Sequence, residues 1–149
     1  MEITAISLAA GLAVGLAGAW VAMGQWALWG TAIELMGKSP RMTSTIMVYT
    51  ILWVALVESA VIYALVVAFQ ILWASGADSV HVIGAGLAIG LAGFGAGYGE
   101  GKIVQWALLA YNRNPEMKNQ ILQFMVLFIA LAETSAIYGL VVAFRLLSM

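Results

Sequence analysis

The sequence has no cysteine, a single histidine, two prolines and only 9 % charged residues. Without cysteine there is no disulfide, no thiol nucleophile and no cysteine-held metal. His81 cannot form a histidine cluster, and near a membrane edge it has no evident partner. Six Lys and Arg against seven Asp and Glu leave a net charge of −1 and no basic patch, which argues against nucleic acid as a partner. What fills the chain is apolar: 64 % of its 149 residues. A soluble domain of that length carries far more charge, so the expected solvent is lipid. Met1-Glu2 offers no positive n-region, and the first apolar run is too long for the core of a signal peptide. A permanent first helix is therefore expected rather than a cleaved leader.

Four apolar segments cover residues 3–36, 42–75, 80–111 and 117–148. Each predicts a helix of about thirty residues, roughly 45 Å long at helical rise. That exceeds the roughly 30 Å hydrocarbon core, so the helices should protrude. Lys38-Ser39-Pro40-Arg41 and Arg113-Asn114-Pro115-Glu116 interrupt the segments, each with a proline that helps end a helix. The expected fold is all-α and membrane-integral: four transmembrane helices in two tandem hairpins. The first hairpin spans 1–75 and holds Glu58; the second spans 76–149 and holds Glu133. Ala74-Ser75-Gly76-Ala77-Asp78 links them. Five of the six basic residues lie at or toward the hairpin loops, with Arg145 the exception, which puts the loops in the cytoplasm and the termini outside.

The halves repeat at an offset of 75 residues. Gly15-Leu16-Ala17-Gly18 returns as Gly90-Leu91-Ala92-Gly93, Pro40 as Pro115, and Ile62-Tyr63 as Ile137-Tyr138. Glu58 falls on Glu133, and Gln25 on Glu100. The two repeats run in parallel, unlike the inverted repeats of many secondary transporters.

A carboxylate in hydrocarbon costs roughly 2.5–3.5 kcal/mol even on the insertion scale, so one that appears twice in the same wording is expected to do something. Glu58 lies about 18 residues after Pro40 and Gln25 about 14 before Ser39, which places both roughly 20–27 Å from the turn. Glu100 and Glu133 repeat that spacing. The plain alternative is an interhelical hydrogen bond that only glues the hairpin, which does not require an ionisable group. Ser59 and Tyr63 share a helix face, with Glu58 about 100° away, and Thr134 and Tyr138 repeat this beside Glu133. One hairpin cannot close a cage around an ion; a row can, the carboxylate of one facing the hydroxyls of the next. Taken alone, Ser59 and Thr134 would be expected only to bond back to their own helix carbonyls. Carboxylate, amide and hydroxyl oxygens, with the backbone carbonyls of Leu56 and Leu131, suit a hard cation. Without that cation a buried carboxyl holds a proton instead.

Gly93, Gly95, Gly97, Gly99 and Gly101 alternate along the third segment and call for a tight helix contact, since each costs about 1 kcal/mol in helix propensity. A phosphate-binding loop is excluded, because neither a strand nor a Lys-Ser/Thr follows. The first repeat departs here with Trp20, Ala22 and Trp26, which suggests a wider or alternating packing. Trp53, Trp73 and Trp106 are expected to face lipid or pack, and the methionines to fill space.

With these residues in view, the chain resembles the proteolipid, or rotor-ring c/K subunit, of rotary ATPases over nearly its whole length. Ala130-Leu131-Ala132-Glu133-Thr134-Ser135-Ala136-Ile137-Tyr138-Gly139-Leu140 looks like the archaeal/vacuolar (A/V-type) branch. The resemblance implies hairpins standing side by side in a homo-oligomeric ring in lipid, glycine-rich first helices inside and carboxylate-bearing helices outside. It implies a cell-membrane protein of a bacterium or archaeon that is no enzyme itself and has no cofactor. It couples ion flow to rotation in an ATPase or ATP synthase. A stator subunit with an essential arginine and central-stalk subunits are the implied partners, the stalk meeting Lys38, Ser39, Pro40, Arg113, Asn114 and Pro115. In sodium-binding members Gln, Glu, a following Ser or Thr and a Tyr form the site. Gln25, Glu58, Ser59 and Tyr63 match, as do Glu133, Thr134 and Tyr138, while Glu100 stands where Gln is expected. The resemblance thus implies transported Na+ at Gln25, Glu58, Ser59, Glu100, Glu133 and Thr134, with H+ the alternative because one site carries two carboxyls.

A small four-helix cation-coupled drug exporter also carries a membrane glutamate, but does not account for two equivalent glutamates at the repeat offset. A purely structural bundle is the third reading.

Overall fold

The computed structural model describes residues 2–74, 76 and 78–149, and of residues 2 and 3 the backbone alone. Ser75 and Ala77, within the expected link, and Met1 lie outside the described residues. Helix α1 runs Glu2–Lys38; α2 is Thr43–Val57 and α3 Ser59–Trp73; α4 is Ser79–Gly93, α5 Gly99–Arg113 and α6 Lys118–Leu147. Single 3₁₀ turns, Pro40–Met42 and Pro115–Met117, join the helices of each hairpin. Proline suits this first-turn position because its missing N–H would have no helical partner there.

These pieces make four long apolar spans, Thr4–Lys38, Pro40–Trp73, Ser79–Arg113 and Pro115–Leu147. The segment expectations hold within two or three residues. Asp78 opens the third span by accepting the Val80 N–H at 2.7 Å, a side-chain cap for an otherwise unpaired amide. Gly76 before it takes φ +80°, a conformation glycine adopts without a steric penalty.

Two spans are not regular, which the apolar pattern did not indicate. The second breaks at Glu58, whose ψ is −15°, so that α2 and α3 meet at the carboxylate. The third passes through a π turn, Phe94–Tyr98, that ends two residues before Glu100. A π turn adds a residue to the helical circuit and re-aims the side chains beyond it.

The five alternating glycines do not line one contact, because alternation does not keep a single helix face. Gly97 and Gly101 meet the backbone of α1 at Val21 and Gly24, and Gly93 meets Ala17, with Gly86 and Gly90 continuing the line onto Ala9 and Leu12. Gly95 faces Ser135 of α6 instead, and a Cβ on Gly99 would meet nothing within 4 Å. Two apolar clusters result. One, toward the loops, holds Leu28, Ile46, Val57, Val104 and Ile129; the other, toward the termini, is rich in alanine and holds Ala13, Ala64, Val67, Ile71 and Ile89. Large apolar side chains such as Leu52, Ile62, Phe69, Leu127 and Val141 point outward, as a lipid-facing surface requires. Trp73 and Trp106 are among the outward residues, whereas Trp53 packs in the core.

Candidate functional site

The Glu133 carboxylate is held across the boundary between the hairpins. Ser59 Oγ, at the first position of α3, donates to both its oxygens, at 2.8 and 2.9 Å. Tyr63, one turn along the same face, lines the same pocket as Ser59 and that carboxylate. The serine therefore does not bond back to its own helix. The break at Glu58 sits immediately before it and sets the direction of this turn.

Glu100 completes the group from α5. Its side chain is fully buried and lies near enough to Glu133 for the two carboxyl groups to interact. Among the described residues no N–H or O–H donor reaches either of its oxygens. Two neighbouring carboxylates repel when both are ionised, so this placement disfavours a charge on both at once. One polypeptide thus gathers Ser59, Tyr63, Glu100 and Glu133 into a single polar group.

The other half of the pattern is open. Gln25 Nε2 donates to Glu58 Oε1 at 3.0 Å, so the amide on α1 meets the carboxylate on the second span as the spacing predicts. Glu58 itself is exposed, and among the described residues its carboxylate is hydrogen-bonded by Gln25 and by no hydroxyl of the second hairpin. Thr134 and Tyr138 are on the opposite edge of the molecule: Thr134 Oγ1 donates to Leu131 O at 2.6 Å, and Tyr138 is 67 % exposed. Here the bond back to the helix carbonyl is the one observed, and the Leu131 carbonyl already has this donor. Leu56 stands in the last turn of α2 before the break.

At the loop end, Ser39 Oγ donates to Asn112 Oδ1 at 2.8 Å and ties the two turns together. Lys38 pairs with Glu34 one turn earlier on α1. Arg113, Asn114 and Pro115 are exposed. A second polar layer lies between loop and carboxylates: Gln105 donates to the buried Thr31 at 2.8 Å and accepts from Lys102. Sequence reasoning missed it. The available signal was a double departure from the repeat, since Gly30 stands at the position of Gln105 and Trp106 at that of Thr31.

The family of ATP synthase C subunits matches twice, over residues 8–71 and 83–146. Several bacterial c subunits of ATP synthase are similar. That of Chloroflexus aurantiacus is 42 % identical over 67 residues, 45 % of this chain and 88 % of its own length. That of Clostridium beijerinckii is 46 % identical over 69 residues, 46 % of this chain and 96 % of its own. That of Dehalococcoides mccartyi is 44 % identical over 71 residues, 48 % and 93 %. Each relative is thus about as long as one hairpin. Matched twice in tandem, with its carboxylates at equivalent depths, this chain belongs to the family of ATP synthase C subunits, as a duplicated-hairpin member.

Proposed function

We propose that the chain is a rotor-ring subunit of a membrane-embedded rotary ATP synthase that carries a cation on each of Glu58 and Glu133. It performs no catalysis on ATP. The observation that carries the reading is the Ser59–Glu133 pair: the carboxylate of one hairpin is held by the hydroxyl of its neighbour. A row of hairpins repeats that contact at every boundary. Loaded, the Gln25–Glu58 site has no net charge, and the Glu100–Glu133 site has none once one of its two carboxyls also holds a proton, so each can travel through lipid. Emptied, it is a bare carboxylate, which hydrocarbon disfavours and which must meet a polar or positive stator surface. Each unit charge moved across the membrane supplies about 2.3 kcal/mol per 100 mV. Rotation would carry that work to the catalytic head through stalk subunits seated on the loops around Ser39 and Asn114, with those loops on the cytoplasmic side.

Sodium is the cargo we favour, since Gln25, Ser59, Tyr63 and the carboxylates offer only oxygen ligands, together suited to a hard cation. The 130–140 motif and the duplication favour the A/V-type branch. The proton reading has its own support in the closeness of Glu100 to Glu133, because two neighbouring carboxyls can share one proton. The exporter reading has no use for a second equivalent carboxylate.

Carbodiimide labelling of the purified oligomer, with sodium titrated in at several pH values and each glutamate read by mass spectrometry, tests this. Sodium protection of Glu58 and Glu133 is the expected result. Labelling that follows pH alone would assign the proton, and no labelling at either glutamate would overturn the carrier reading.

A further inference from the structure

The contact that joins the two hairpins inside the chain uses one edge of each and leaves the other edges free. Two residues that touch across it have counterparts on those free edges, 75 later for the first hairpin and 75 earlier for the second. Ser59 on Glu133 translates to Thr134 and Glu58, the two halves of the open site. Ser39 on Asn112 translates to Asn114 and Gly37, and Thr31 on Gln105 to Trp106 and Gly30. The free edges are shaped accordingly. Trp106 projects, 61 % exposed, while a Cβ on Gly30 or Gly37 would meet nothing within 4 Å.

Beside Trp106, an apolar groove of about 610 Å³ opens between α5 and α6, lined by Ile103, Ala107, Ile121 and Phe124. On the first hairpin the counterparts of three of these, Leu28, Ala32 and Ile46, are buried under the second hairpin. The same surface is therefore covered once and left bare once.

Resting on the ring reading above, we infer that a second copy of this chain fills the groove in the register that joins the hairpins of one chain, with one departure: Trp26 of the incoming copy lies on Gly99 and holds the two backbones apart. Inside the chain the equivalent contact is Gly24 on Gly101, where the backbones touch and a Cβ on either has no room. The counterparts are Gly99, with nothing within 4 Å of its Cβ position, and Trp26, 78 % exposed. An indole cannot enter a space that excludes a methyl group, so the boundary between copies is wider than the one within a copy at that depth. Neighbouring hairpins then alternate, close within a chain and farther apart between chains. The wider boundary is also the one that Glu58 shares with Thr134 and Tyr138 of the adjoining copy.

The absence of cysteine makes disulfide trapping in the full chain in its membrane the direct test. Gly37→Cys with Asn114→Cys should oxidise to a ladder in multiples of 15.8 kDa, whereas Ser39→Cys with Asn112→Cys should close within one chain and stay at monomer mass. The spacing is read with Met23→Cys and Gly99→Cys, the counterparts of Tyr98 and Gly24, which approach inside the chain. This pair should link slowly, and at least several-fold faster once Trp26→Ala is added. Equal rates with and without Trp26 would overturn the spacer. A large detergent-resistant oligomer without the 37/114 ladder would overturn the register while leaving the ring intact, whereas a monomer- or dimer-sized particle would defeat the ring reading itself.

Discussion

Ser59 separates the two sites more sharply than either carboxylate does. It donates to Glu133 and not to the glutamate beside it in sequence. A hydrogen bond to a charged group contributes about 1.5–3 kcal/mol, which is about a 10- to 100-fold change in an equilibrium constant. Ser59→Ala should therefore weaken cation protection of Glu133 by about 10- to 100-fold and leave Glu58 unchanged, read by site-resolved carbodiimide labelling. Gln25→Leu should do the reverse, through the amide that meets Glu58 at 3.0 Å. This pairing was legible in the sequence because hydroxyl and carboxylate lie about 100° apart on one helix, so a helix cannot serve its own glutamate. The burial of Glu100 was not legible. Its alignment with Gln25 placed it at the right depth, but only the packed third span shows that no donor among the described residues reaches it.

At the scale of the helix, length and turns follow from composition, since apolar runs and two loop prolines leave few other outcomes in lipid. The irregularities do not. The break at Glu58 and the π turn at Phe94–Tyr98 are responses to tertiary packing, and neither leaves a periodic trace in the sequence. The glycines show the same limit. Alternation announced a close contact, but the π turn and the crossing of α1 decide that Gly97 and Gly101 make it and Gly99 does not. Gly97→Ala would drive a Cβ to 2.6 Å from Val21 Cγ2 and 2.8 Å from its backbone nitrogen. Overpacking of that kind costs about 1–3 kcal/mol, so the variant should dissociate at lower temperature or lower dodecyl sulfate concentration than the parent. An unchanged dissociation curve would mean that α1 and the third span separate at little cost.

On the proposed reading, the whole molecule is a unit with one finished site and two unfinished edges. Exhaustive carbodiimide treatment should therefore add two adducts to each 15.8 kDa chain of the assembled oligomer, seen by intact-mass measurement. A plateau at one adduct would mean that the two carboxylates are not chemically alike. The different ownership of the sites also has a genetic consequence. Glu133 has its hydroxyl partner, Ser59, in the same polypeptide, so a Ser59→Ala lesion acts in cis. Glu58 depends, on the proposed register, on Thr134 from another polypeptide, so a Thr134→Ala lesion acts in trans. In cells expressing a mixture of the two alleles, a Ser59→Ala chain should impair only its own Glu133. A Thr134→Ala chain should instead impair the Glu58 of whichever wild-type chain stands next to it, and its defect should spread through mixed oligomers as a dominant trait.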